Sequence, residues 1–318
     1  MSQLKQHYLL GITIIVLLAS GRAYAANKTG VTDSLREGEV RIDLSYSLMT
    51  VSPGGTYSVG SNSSSLSGHV TQSNMATTYN LGVTDTINIK VVYGFSQNTN
   101  QELDYTSGPN SYVDTTQWTG ATSPEIGIQY VLDNRKQSGI GAVVYGGFSP
   151  AAPFTAPVSE IKTNGVAATS GVVGNSNNGY ATTRAGATVS FPVYAGSAFA
   201  NFEYSNGDNS VNYAGSTSGV SSTVTFGVEH RMGNSAKLRP YLRVPAMGSC
   251  YRGQGQSAFF SCFDVGVLFI KDVSKSFSLE LLGQLGTLNQ AATNYTNGST
   301  LTLSQSGYTV GVQGMFFY

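Results

Sequence analysis

The chain has 318 residues with 17 basic and 17 acidic side chains, and only 11% of it is charged. Soluble domains carry about 25%, so a freely soluble surface fits poorly, and the even balance argues against a nucleic-acid partner. Hydrophobic residues are an ordinary 40%, but 38 glycines and 19 tyrosines stand out. That mixture suits strands whose lipid-facing apolar residues alternate with small, polar lumen-facing ones.

At the start, Lys5 precedes an apolar stretch from Leu9 to Ala19, followed by Ala23-Tyr24-Ala25. This pattern predicts a cleaved signal peptide over 1–25, and the stretch falls short of the ~20 residues of a spanning helix. Cleavage removes Lys5 and Arg22 and no acid, leaving 15 basic against 17 acidic residues. Residues 26–38 read as a short periplasmic segment and 39–318 as one barrel.

From Val40 the even positions Ile42, Leu44, Tyr46 and Leu48 are apolar, against Arg41, Asp43, Ser45 and Ser47. Strand side chains alternate between faces, so this is a strand with one apolar face. Pro53 to Ser73 is rich in Gly, Ser and Asn without periodicity and reads as a loop. Met75 to Val83 and Ile87 to Phe95 then form two strands around Thr84-Asp85-Thr86.

Ser96 to Ser123 reads as another loop. Strands follow at Ile126 to Leu132 and Ile140 to Phe148, then a long connection from Ser149 to Asn178. Ala185 to Phe191, Ala198 to Tyr204 and Val224 to Val228 continue the rhythm. Leu238 to Val244 is interrupted by Pro240 and bounded by Pro245, which remove ladder donors. Phe259 to Phe269, Phe277 to Leu285 and a terminal strand complete the series.

The expected fold is therefore all-β: a transmembrane, antiparallel, up-and-down barrel of about twelve strands. Long loops fall on the extracellular side, and short turns with both termini on the periplasmic side. Lipid cannot satisfy an open sheet edge, so the last strand must pair with the first. In "GYTVGVQGMFFY" the outward parity is Tyr308, Val310, Val312, Gly314, Phe316 and Tyr318. Outward aromatics at Tyr46, Phe95, Phe148, Phe191, Tyr204, Phe269, Phe277 and Tyr318 suit interfacial girdles.

Tyr308, Val310, Val312, Phe316 and Tyr318 resemble the sorting signature of Gram-negative outer-membrane barrels. That resemblance implies outer-membrane lipid and the outer-membrane assembly machinery as partners. "YNLGVTDTINIKVVYGF", "PEIGIQYVLDN" and "GIGAVVYGGFSPAAP" further resemble hairpins of the meta-pathway phenol-degradation family of outer-membrane transporters. Leu81 replaces that family's tyrosine, and "GATSPE" and "SPAAP" replace its usual flanking motifs. The resemblance covers about a third of the chain and implies transport of small, including aromatic, molecules.

The lumen-facing parity carries Arg41, Asp43, Lys90, Glu125, Arg184, Glu203, Glu229, Arg239, Arg243, Asp264 and Glu280. Two readings stand side by side: a charged pore lining that selects solutes, or opposite charges paired across a narrow barrel. Arg239 and Arg243 share one face, which would give a modest anion preference. Cys250 and Cys262 flank one loop of an exported chain, so a disulfide is expected.

No cofactor, metal or catalytic motif is legible. His69 and His230 are the histidines beyond the signal peptide, and neither has a neighbouring nucleophile or acid motif. "EYSNGD" has Glu203 two residues before the serine, where outer-membrane phospholipases carry histidine. The function expected is a non-enzymatic channel for passive passage of small solutes, aromatic or hydrophobic molecules among them. The alternatives are a closed barrel that binds or adheres through its extracellular loops, and, more remotely, a barrel hydrolase.

Overall fold

The computed structural model describes residues 30–107, 109–120, 124–133, 139–150, 158–164, 166–172, 181–194, 196–206, 220–247, 262–294 and 299–318. The expected signal peptide and Cys250 lie outside these residues, as does the side chain of Cys262.

The strands in the first half are β1 Val40–Val59, β2 Asn62–Gly82, β3 Ile87–Ser107, β4 Asn110–Gly120 and β5 Glu125–Asp133. They continue as β6 Gly141–Ser149, β7 Val158–Thr163, β8 Val166–Val172, β9 Thr182–Val193 and β10 Gly196–Asn206. The last are β11 Val220–Met232, β12 Ala236–Met247, β13 Cys262–Asp272, β14 Phe277–Asn294 and β15 Ser299–Phe317.

Among the described residues, twelve strands close a ring in the order β1, β2, β3, β5, β6, β9 to β15, and β15 returns to β1. Every neighbouring pair is antiparallel. At the seam Arg41 lies opposite Phe317, and Val40 and Tyr318 exchange backbone N–H···O bonds of 3.1 and 2.9 Å. The terminal strand thus meets the first through to its last residue.

Every strand of the ring exposes large apolar side chains on its outer parity, including Leu44, Ile128, Phe148, Val189, Phe226 and Leu285. Ile126 and Leu132 are 61% and 60% exposed. A continuous apolar belt of this kind is untenable in water and is the lipid-facing surface of a transmembrane barrel. On this face the rings of Phe277 and Phe316 pack with centroids 4.9 Å apart. Both rings come within 3.5 Å of where a Gly314 side chain would begin. This is why a glycine interrupts the apolar parity there.

The long connections are largely sheet rather than irregular loop. β1 and β2 run on through Pro53 to Ser73 and turn at Gly60 (φ 58°) and Ser61. β3 extends to Ser107, and its far half pairs with β4, while β7 and β8 continue from β4. The Ser96–Ser123 loop is therefore replaced in large part by strands, and within Ser149–Asn178 the described stretches Val158–Thr163 and Val166–Val172 are strands. The physical reason is that strands of 20 or 21 residues exceed the ~9–11 needed to cross a bilayer. Beyond the belt the outer face meets water, so Ser63, Ser65, Ser67, Thr71 and Ser73 stand where apolar residues stood below. The hydroxyls of Ser65 and Thr106 bond across this face at 2.8 Å.

Pro240 is accommodated within β12. Pairing to β11 resumes at Leu238↔His230 and Tyr241↔Gly227, and no register pair joins Pro240 to that side. On the other side Pro240 pairs with Val267. The missing donor falls in the gap.

Candidate lumen site

Residues 30–39 enter the turn end of the barrel and cross its lumen. Asp33 turns the segment back, its carboxylate accepting Gly30 N–H at 2.7 Å. Thr32 and Ser190 of β9 share a hydroxyl hydrogen bond of 2.8 Å. Leu35, 4% exposed, packs with Ile270 of β13 and with Met315 and Phe317 of β15. Gly38 N–H donates to Gly82 C=O at 2.8 Å, and Gly82 N–H to Glu39 C=O at 2.9 Å. Two wall glycines make room: a Cβ at Gly82 would collide with the Arg36 carbonyl, and one at Gly141 with Thr32.

Above this floor lies a lumen cavity of about 370 Å³. Its floor is Val31, Asp33, Ser34 and Leu35, and its walls come from β1, β2, β3, β5, β6, β9 and β10. Arg41, Lys90, Glu125, Arg184 and Glu203, all expected on the inner parity, meet here, joined by Asn80, Asn88, Gln129, Tyr145, Thr188 and Asn201.

The charges pair along the wall, within a strand or between nearby strands, rather than across the barrel. Arg41 Nε is 2.9 Å from Asp43, which also accepts Asn80 Nδ2 at 3.1 Å. Arg239 on β12 reaches Glu229 on β11 at 2.6 Å. Arg243 reaches its register partner Asp264 on β13 at 2.5 Å. The two arginines expected to give anion preference are thereby neutralised. Glu125 is shared, 3.9 Å from Lys90 and 3.7 Å from Arg184. Glu203 accepts the Tyr145 hydroxyl at 3.0 Å. Glu280 sits opposite Ile270 and Gln313, with no ion pair within 4 Å among the described residues.

Sequence reasoning missed Tyr145, Asn201 and Thr188, which form one chain. Asn201 Nδ2 donates to Tyr145 Oη at 3.1 Å and to Thr188 Oγ1 at 2.7 Å. They share the inner parity with charges already noted, but polar neutral residues give no contrast to search for. A second signal was available in the glycines. Tyr145 lies opposite Gly186, Phe199 opposite Gly227 and Tyr241 opposite Gly266 in register. In each pair a Cβ on the glycine would strike the aromatic ring. The ring covers the glycine backbone, a recognised way of stabilising glycine in strands. We expect Gly186→Val to displace Tyr145, break its bonds to Glu203 and Asn201, and cost about 1–3 kcal/mol as an overpacking substitution. Denaturant unfolding in micelles measures it, and Gly283→Val, where only Val267 lies within 4 Å, serves as the comparison.

His69 is exposed on β2 opposite Glu102, and His230 is exposed on β11 opposite Leu238. Among the described residues no group of three or more His, Cys, Asp or Glu could hold a metal ion.

No family model matches this chain, and no curated protein matches it. Solved structures do. The Pseudomonas putida toluene transporter TodX is 8% identical, covering 92% of this chain and 93% of that one, with a TM-score of 0.50. A Pseudomonas aeruginosa FadL homologue is 8% identical over 93% and 96%, with a TM-score of 0.47. The Ralstonia pickettii toluene transporter TbuX is 10% identical over 89% and 90%, with a TM-score of 0.42. At 8% identity the likeness to TodX is one of fold, a closed transmembrane β-barrel.

Proposed function

We propose that this chain is a channel of the Gram-negative outer membrane for the passive passage of small solutes, small aromatic molecules among them. The observation that carries the reading is the polar lumen cavity above residues 30–39, enclosed by a ring whose outer surface is apolar. The shared fold with a toluene transporter supports it. Export would follow cleavage after Ala25, and assembly would read the outward parity Tyr308, Val310, Val312, Phe316 and Tyr318. A disulfide between Cys250 and Cys262 would close the connection between β12 and β13.

The test is single-channel recording of the refolded, oxidised protein in a planar bilayer, with selectivity from the reversal potential. Stable current steps are expected. An inserted, folded protein without conductance would turn attention to the raised hairpin of β1 and β2, whose hydroxyl-bearing outer face at Ser63, Ser65 and Ser67 fits a surface-binding role.

A further inference from the structure

We infer that the outward face of the raised strands is a docking surface for the sugar chains of outer-leaflet glycolipids. The inference rests on the outer-membrane placement proposed above and holds whether or not the lumen conducts.

The surface begins where the lipid belt stops. Along the β1–β15 seam the outward parity changes character at one register row, Thr50↔Tyr308. Below it Tyr46 faces Val312 and Leu48 faces Val310; above it Ser52 faces Ser306, Gly54 faces Ser304 and Thr56 faces Thr302. β2 makes the same change, from Met75 below to Ser67 and Ser65 above, and β3 adds Asn100 and Thr106 to the same face. Ser52, Thr56, Ser65, Ser67, Thr106 and Ser306 are all exposed. From Thr50 to its end at Val59, β1 climbs about 33 Å along its own axis, at ~3.3 Å per residue. The strands cross the boundary without a break, so the face that meets lipid below also meets the layer directly above the lipid. In an outer leaflet built of glycolipids, that layer is sugar.

The chemistry of this face is not that of an ordinary water-facing sheet. No lysine or arginine occurs between Arg41 and Lys90, between Lys90 and Arg135, or after Lys275. The raised parts of β1, β2, β3, β14 and β15 therefore carry neither. Exposed sheets ordinarily use such charges, lysine above all, to stay solvated and to keep other sheets away. Here short hydroxyls stand in their place. Among the described residues this face bears His69 and two carboxylates, Glu102 and Asp104.

These features select the partner. An anionic headgroup finds no lysine or arginine to pair with, and the two carboxylates repel it. Another protein fits less well, since interface cores are rich in aromatic residues and depleted of serine. A polyhydroxylated chain matches the surface. Each Ser or Thr hydroxyl donates and accepts, as each sugar hydroxyl does, and side chains this short lose little rotamer freedom when fixed. Anchoring in the adjoining leaflet holds the sugar at high effective concentration, so individually weak hydroxyl contacts suffice.

The experiment reconstitutes the full-length protein into phosphatidylethanolamine vesicles with equal amounts of lipopolysaccharide bearing its core sugars and of its sugar-free lipid anchor. The protein is extracted in mild detergent and purified, and the lipid that stays with it is counted by mass spectrometry. The sugar-bearing form is expected to be retained several-fold over the anchor. Combining Ser52→Ala, Thr56→Ala and Ser67→Ala should bring that ratio back towards one and leave anchor retention unchanged. Equal retention of the two lipids by the unaltered protein overturns the inference, whether or not the variant folds. So does an unchanged ratio in a folded variant. Free core oligosaccharide that displaces the lipopolysaccharide at equal concentration overturns the membrane-anchored source. A dimer that forms alike with either lipid and is lost in the variant gives the face to a second copy of the chain instead. Retention without current in a planar bilayer upholds the surface and sinks the channel, and current without retention does the reverse.

Discussion

Replacing Glu229 by alanine is expected to destabilise the barrel by about 3–5 kcal/mol, the range for breaking a buried ion pair by removing one partner. Glu229 is 1% exposed and lies 2.6 Å from Arg239, itself 11% exposed. The alanine would strand a guanidinium on the inner wall, where water reaches it poorly and desolvation is not repaid. Urea unfolding of protein folded into vesicles gives the number. The double variant Glu229→Gln, Arg239→Met removes both charges and should recover most of the loss, because an uncharged pair carries no stranded ion. A small effect of Glu229→Ala alone would mean that water or another carboxylate reaches Arg239.

The second large effect concerns the segment across the lumen. Deleting Gly30 to Arg36 should raise the mean current several-fold in planar bilayers, because it removes the floor of the cavity. The milder Leu35→Ala should cost about 2–5 kcal/mol as a buried large-to-small change, since Leu35 is 4% exposed against Ile270, Met315 and Phe317. It should also make the current noisier as the segment loosens. An unchanged current in the folded deletion variant would place the limiting constriction elsewhere.

The ring of the barrel was legible wherever one strand face met lipid. Leu44, Ile128 and Phe226 stand out because lipid demands apolar side chains at every second position. Legibility failed where that demand ceases. Ser63, Ser65 and Ser67 alternate in space just as Leu81 and Met75 do, but with water outside the sheet no hydrophobic period marks them. The pairing of charges was half legible. Parity placed Arg243 and Asp264 on one face, but only register, which sequence does not supply across a long connection, set them opposite each other. Leu35 gave no signal, since a short segment that packs inside a barrel has no period of its own.

The seam between β1 and β15 also dictates an order of events. Its partners lie far apart in the sequence, so pairing them ahead of the rest of the wall would close a long loop at an entropic cost. Pairings this remote in sequence make folding slow, and every earlier species is a curved sheet with two bare edges, prone to pair with other chains. Pairing along the seam removes both edges at once, so closure of the ring is what turns an aggregation-prone sheet into a finished wall.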